Sequence, residues 1–403
     1  MANKHTISDL YQMQSLPLQA KIRMTKNRIA EWVDEYGEDG VYVSFSGGKD
    51  STVLLDIARK MYPGIKAVFV DTGLEYPEIR SFVKKFENVD WIKPKLTFKQ
   101  VIEKHGYPFI SKETSECVDS ARKYLRILQT DRQTDRQTDR QTDPGEHRTF
   151  IRTENFKELE NIASENLYKL NARTAMVLGV YEKEWKKKKM GIIPSDNHNR
   201  SMFSQERYKF FLEAPFEISS KCCSVMKKQP IHAYNKQTER KSITAQMASE
   251  SRLRTQKWLQ NGCNGFEMKK PISNPMSFWT EQDVLLYIYE NQLPIAEVYG
   301  EVVIDYEAMG QIEGQMDMSQ LASDFGIFDI GRPILKTTGV KRTGCMFCGY
   351  GCHLEKSPNR FEQMHKTHPK QYNYIMKPVS EGGLGYKEII DWINKHGNMN
   401  IKY

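Results

Sequence analysis

No apolar run in this 403-residue chain approaches the roughly 20 residues that a membrane-spanning helix needs. The opening Met1-Ala2-Asn3-Lys4-His5 leads into polar residues without the apolar core of a signal peptide, so the expected location is the cytoplasm and no membrane partner is expected. Cysteine is scarce. There are seven, at 117, 222, 223, 263, 345, 348 and 352, and none beyond Cys352. An odd count in such a chain excludes a complete disulfide framework, and the clustering points to metal or redox chemistry. A Walker-type phosphate loop, G-x-x-x-x-G-K-[ST], is also missing. Charge of one sign does not dominate: 59 Lys and Arg against 51 Asp and Glu leave +8. That balance suits anionic ligands such as nucleotides and permits nucleic acid without requiring it. The densest basic run, four lysines over 186–189, reads as a solvated face.

One stretch lacks apolar residues altogether. Over 129–143 the cycle Gln-Thr-Asp-Arg runs three times and then begins again. Such a segment cannot bury a face, so a solvated, disordered excursion is expected. A DNA tract of repeated CAGA reads as this same four-residue cycle, and gain or loss of one such unit shifts the reading frame. Strand slippage and a chance codon-level expansion both account for it.

What is present is an alternation of short apolar strands and helical patterns. Residues 8–36 carry helical spacing through Leu10, Met13, Ile22, Ile29, Trp32 and Val33, and Gly37 breaks it. Strands are expected at 41–45, 67–70 and 89–92, with helices at 52–61 and 77–86 between them. This is the pattern of a parallel α/β sheet. Further helices are expected at 156–170, 205–212, 361–376 and 386–395. Another is expected at 279–290, where Thr280 and Asp283 form an N-terminal capping pair. Beyond Pro333 the chain reads as loops until 361.

Between the first strand and its helix lies Ser46-Gly47-Gly48-Lys49-Asp50-Ser51. The glycines let backbone N–H groups approach an anion, and the helix that follows presents its positive end. Lys49 adds a mobile cation, Ser46 and Ser51 add hydroxyls, and Asp50 orients the loop or helps to hold Mg2+ with ATP. Asp71, in Val70-Asp71-Thr72-Gly73, stands at the end of the next strand, where open α/β sheets bind ligands.

The loop resembles the PP-loop of the ATP pyrophosphatase superfamily. The stretch Asp71-Thr72-Gly73 through Glu75-Tyr76-Pro77-Glu78 resembles the Asp-Thr-Gly-x-x-Phe/Tyr-Pro-Glu of the phosphoadenosine phosphosulfate (PAPS) reductases within it. So do Glu250-Ser251-Arg252-Leu253-Arg254, the Trp279 to Tyr289 helix, and Leu293-Pro294 to Val298-Tyr299. The resemblance covers roughly 40–350. It implies an α/β fold, a parallel-sheet PP-loop domain of the adenine nucleotide alpha hydrolase-like kind. That domain would occupy 41–300, interrupted by the repeat, after a helical lead-in over 1–40 and before a Cys-rich C-terminal region over 301–403. It implies ATP, PAPS or adenylyl sulfate (APS) at the loop, with Arg254 on an anionic oxygen.

Two thiol elements stand apart in sequence: Cys222-Cys223, followed by Lys227, Lys228 and Pro230, and Gly344-Cys345-Met346-Phe347-Cys348. Four thiolates are soft ligands for an iron–sulfur cluster or for zinc. The pattern resembles the adenylyl-sulfate reductase type, which implies a 4Fe–4S cluster on Cys222, Cys223, Cys345 and Cys348. The reductases attack the sulfur with a cysteine near the C-terminus. Here that cysteine is absent, and Ala248 stands at an earlier arginine of the family. The departures turn the expectation toward a variant branch that includes DNA phosphorothioation sulfur enzymes and proteins paired with ParB-like partners. The expected chemistry is thus reductive or sulfur-transferring, with Lys49 and the Cys352 thiol as catalytic groups. An electron-donor or sulfur-donor protein would be a partner, and nucleic acid is an alternative one. A regulator that senses nucleotide or redox state is the non-enzymatic alternative.

Overall fold

In the computed structural model, residues 3–134, 171–178, 204–309 and 333–403 are described. The helix expected at 156–170 and the lysine run at 186–189 lie outside them. The chain divides into two compact units, each assembled from two separate stretches. Unit 1 takes Met1–Lys95 and Met226–Cys345; unit 2 takes Leu96–Val225 and Met346–Tyr403. The helices of residues 1–40 pack into unit 1.

The strands in chain order are β1 Val41–Ser44, β2 Ala67–Val70, β3 Val89–Ile92, β4 Phe109–Ile110 and β5 Lys241–Ile243. After them come β6 Asn264–Gly265, β7 Ile272–Ser273, β8 Val302–Ile304, β9 Leu335–Thr337 and β10 Gly349–Tyr350. Unit 1 holds a six-stranded sheet in the order β3-β2-β1-β5-β7-β6. All neighbours are parallel except β6 and β7. From β1 the chain winds to one side through β2 and β3, then returns to the other side through β5. The strand order therefore reverses at β1 and β5, and a reversal of this kind leaves a crevice at the C-terminal strand ends.

The core of unit 1 explains why its helices lie where they do. Helix Leu18–Tyr36 buries Ile29, Trp32 and Val33, and Gly37, at φ 76°, ends it. The same helix buries Lys21, whose Nζ lies 2.6 Å from Asp283 Oδ2, itself buried. Asp283 also closes the capping box with Thr280 that starts helix Glu281–Asn291, as the sequence pattern expected. Trp279 is enclosed and donates its indole N–H to Thr25 Oγ1 at 2.8 Å. Each such buried aromatic contributes about 2–3 kcal/mol of transfer free energy.

Unit 2 is mainly helical. Its packed residues include Phe109, Phe211, Phe361, Tyr386, Ile390 and Ile393. Arg122 is buried there and donates to the carbonyls of Phe211, Ala214 and Phe216. Strands β4 and β10 pair in parallel, Phe109 with Gly349 and Ile110 with Tyr350.

Several expectations need correction. Helix Lys112–Thr134 carries the first six residues of the repeat as its last turn and a half, so 129–134 is not an irregular excursion. Extending a formed helix by polar residues costs little per residue. Residues 135–143 lie outside the described set. The segment expected as a helix over 205–212 is a 3-10 helix, Glu206–Glu213. Helix Pro77–Val83 ends earlier than expected, and Asn88 at φ 51° turns the chain into β3. The region beyond Pro333 is not all loop, since β9 pairs with β8 in antiparallel fashion.

Candidate functional site

Strand β1 delivers Ser46 to the C-terminal edge of the sheet, and helix Lys49–Met61 begins three residues later. Gly47 adopts φ 70°, a region that favours glycine. A Cβ there would fall 2.7 Å from Val83 Cγ2 and 2.8 Å from Ile79 Cγ2, so the loop lies flat on helix Pro77–Val83 only because no side chain intervenes. Hydroxyls lock the turn from within. Ser46 N–H donates to Ser51 Oγ at 3.2 Å, and the two serine oxygens are 3.0 Å apart. Gly48 N–H donates to Ser46 Oγ at 3.3 Å, while Ser51 and Thr52 hydroxyls donate to Gly48 O at 2.9 and 3.0 Å.

A cleft of about 190 Å³ opens beside this loop. Its walls include Ser44 and Ser46 from the β1 end, Val68 and Val70 from β2, Glu75 and Ile79, Lys227, and Thr343 with Gly344. Asp71 follows directly on Val70. Its Oδ2 accepts from Arg80 at 2.9 Å, and its Oδ1 is buried without a hydrogen-bond partner among the described residues. Glu75 accepts from the Thr72 N–H and hydroxyl, which shapes the turn after β2.

Lys49 differs from expectation. It is not a mobile cation: it is 2% exposed, with Nζ 3.3 Å from Asp50 Oδ1 and 3.2 Å from Glu281 Oε1. The sequence gives no hint of this, because Glu281 lies more than two hundred residues away. Arg342 stands 3.8 Å from Glu281 and 4.0 Å from Glu250, and Glu250 also pairs with Arg254. Cations and carboxylates therefore alternate from Arg254 to Asp50. Burial, and then Arg342, pull the Arg254 guanidinium below its ordinary pKa, while Asp50 opposes them. Arg254 itself lines a different hollow of about 90 Å³ with Trp258 and Asn274. Sequence reasoning also overlooked Tyr299 and Thr343 as contributors to the loop. The Tyr299 hydroxyl accepts from the Lys49 N–H at 3.2 Å and lies 2.6 Å from Thr343 Oγ1.

The cysteines are distributed differently. Cys222, Cys223, Cys348 and Cys352 belong to unit 2, and the unit boundary falls directly after Cys345. No disulfide joins any of the seven cysteines. Cys222 and Cys223 have their sulfurs 4.0 Å apart. Burial raises the Cys348 thiol, and Cys223 adds to that shift. Among the described residues, no group of three or more His, Cys, Asp or Glu stands ready to hold a metal ion. Cys352 is 1% exposed, and burial pushes its thiol up to about 12 while Arg360 opposes the shift. A thiol so held is almost entirely protonated near neutral pH, which weighs against a nucleophilic Cys352. Arg360 donates to Cys348 O at 2.7 Å, and Tyr386 donates to Phe347 O at 2.6 Å, fixing the backbone around the second thiol of the C-x-x-C.

The family model of the phosphoadenosine phosphosulfate reductase domain matches residues 40–138 and 148–349, which is most of the chain. The chain belongs to this family. Within the PAPS reductase family, the curated relatives it matches are covered only in part. An adenosine 5'-phosphosulfate reductase of Bacillus velezensis is 30% identical over 96 residues, 22% of this chain and 41% of that protein. An uncharacterised protein of Methanocaldococcus jannaschii is 41% identical over 73 residues, 17% of this chain and 18% of that protein. The crystal structure of a PAPS reductase from Candida auris in complex with phosphate aligns with 74% of this chain and 92% of that one, at 13% identity and a TM-score of 0.31. That superposition is too loose to argue from. The membership and the parallel sheet with its loop after β1 agree with the family resemblance read from the sequence. No helix among the described residues is long and apolar enough to cross a membrane.

Proposed function

We propose that this PAPS reductase-family chain is an enzyme of sulfur metabolism that binds an adenine nucleotide at the loop 46–51 and acts on a nucleotide-activated sulfur compound. The observation that carries the reading is the cleft of about 190 Å³ at the C-terminal ends of β1 and β2, walled by the loop and by Lys227 and Thr343. A strand-end crevice beside a helix N-terminus is suited to phosphate oxygens. The loop's backbone and hydroxyls would hold the phosphates, while Lys49 balances charge from its buried position. Asp71 Oδ1, buried without a partner, supports a hydrogen-bond donor or a Mg2+ ion arriving with the ligand. The substrate reading is PAPS or APS, with ATP as the competing nucleotide.

A 4Fe–4S cluster on Cys222, Cys223, Cys345 and Cys348 is the second part of the proposal. The donor chemistry favours it, since four thiols are soft ligands. Among the described residues no group of three or more such ligands stands ready to hold a metal, so no step is derived through the cluster. When bound it would supply a compact, redox-capable charge centre. With Cys352 held protonated, the attacking sulfur is assigned to an external thiol donor. Two donor thiols would reduce the sulfonyl sulfur, leaving sulfite, the nucleotide and a disulfide.

The test is anaerobic purification with iron and sulfide analysis, followed by incubation with PAPS, APS or ATP and a dithiol. Sulfite release supports the reductive reading. Pyrophosphate release from ATP would move it to sulfur transfer. Neither product, together with no binding of any of the three nucleotides, would remove the reading.

A further inference from the structure

The first amides of a helix have no partner within it and are the natural donors to an anion. At the phosphate loop one of them is already engaged. The Lys49 N–H, first in its helix, donates to Tyr299 Oη at 3.2 Å. That oxygen lies 2.6 Å from Thr343 Oγ1, and Thr343 lines the cleft. Tyr299 is 2% exposed, and burial keeps its phenol above the ordinary pKa, so the ring retains its proton.

The arrangement is built from several sides. Gly48 leaves room for it: a Cβ there would meet Tyr299 Oη at 3.3 Å and Thr343 Oγ1 at 3.4 Å. The segment carrying Thr343 is fastened to the segment carrying Tyr299. Gly339 N–H donates to Tyr299 O at 2.8 Å, and Val340 N–H donates to Val298 O at 3.0 Å. Gly339 permits that approach, because a Cβ would fall 2.3 Å from Val298 O.

We infer that Tyr299 and Thr343 form a hydroxyl relay that carries the donor capacity of the helix N-terminus into the cleft, making Thr343 a binding residue for a phosphate or sulfonate oxygen and Tyr299 its positioning residue. Either hydroxyl can be the donor between them; in the relay Tyr299 Oη accepts from the Lys49 amide and gives its own proton to Thr343 Oγ1. The threonine proton is then directed away from Tyr299, toward the cleft. A hydroxyl that accepts one hydrogen bond is a stronger donor in the next. The inference rests on the reading of the cleft as the nucleotide's phosphate site.

The test uses the full chain and inorganic pyrophosphate as the probe, with binding followed by calorimetry. Tyr299→Phe and Thr343→Val should each weaken binding on the order of tenfold, the usual effect of losing a hydrogen bond to a charged acceptor. Thr343→Ser should keep near-wild-type affinity. The Tyr299→Phe, Thr343→Val double variant should be no weaker than the worse single variant, because the two groups act as one unit. In the ligand-free protein, Tyr299→Phe should speed hydrogen exchange at the Lys49 amide, whatever the cleft binds. Unchanged affinity in both single variants, with wild type binding the probe, overturns the relay and leaves the nucleotide reading intact. Unchanged exchange at Lys49 overturns the relay in the free protein. A wild type that binds neither pyrophosphate nor ATP removes both readings.

Discussion

The loop 46–51 of unit 1 and the thiol region of unit 2 are both Gly- and Ser/Cys-rich, yet they are built to opposite rules. The loop is locked before any ligand arrives. Its serine hydroxyls, the Gly48 carbonyl and Tyr299 satisfy one another, and Lys49 is held by two carboxylates. Burial keeps the Cys348 and Cys352 thiols protonated, and among the described residues no group of three metal-holding side chains is gathered. The contrast teaches that, on the proposed reading, anion binding would rest on geometry already present, whereas ligation by these sulfurs would have to be completed by whatever binds them, with loss of protons.

The comparison can be broken most sharply from the loop side. Gly47→Val places a branched side chain at φ 70° against Ile79 and Val83. Nucleotide binding by calorimetry should fall at least a hundredfold, with unit 1 destabilised by roughly 3 kcal/mol in urea unfolding, since strain and overpacking add. Near-normal affinity would mean that the loop is not preorganised. From the thiol side, Cys352 should label with iodoacetamide at pH 8 on the order of a thousandfold more slowly than an ordinary thiol, because only its thiolate reacts. Mass spectrometry of the peptide reads this directly, and rapid labelling would restore Cys352 as a nucleophile candidate. Asp283→Ala removes the buried ion pair with Lys21 in the core of unit 1 and should cost about 3–5 kcal/mol of unit 1 stability, read as an earlier urea midpoint. The smallest effect belongs to Glu281→Gln. Freeing Lys49 and Arg342 from a shared carboxylate should tighten pyrophosphate binding by roughly threefold at low salt, with less gain as salt screens the charges. Weaker binding would show that Glu281 positions Lys49 rather than restrains it.

The sequence made the local features legible and the distant ones invisible. The runs that became β1, β2 and β3 are short, apolar and separated by helical patterns, and periodicity is enough to find them. Thr280 and Asp283 announced their capping box for the same reason. Tyr299 was visible as a motif position, but its bond to the Lys49 amide joins residues 250 positions apart, which no local pattern encodes. The capture of Lys49 by Glu281 is of the same kind. The burial of Cys352 is hidden in the same way, since sequence shows only a thiol. The division into two interleaved units was likewise hidden, since it is a property of long-range packing alone.

That interleaving bears on the tetrapeptide repeat at 129–143. The repeat falls within the stretch that separates the two halves of unit 1. By the time a ribosome reaches it, β1, β2, β3 and the phosphate loop have been made, but β5, β6 and β7 have not. A frame lost in the tract would therefore yield a product that carries the recognisable loop and lacks half the sheet behind it. Tyr299, Thr343, Glu281 and Asp283 would be missing as well, so Lys21 would lose its buried ion pair with Asp283. If the underlying codons are slippery, gain or loss of one or two units cuts the sheet in half, whereas a change of three units keeps the frame and only lengthens or shortens the repeat by one Gln-Thr-Asp-Arg cycle.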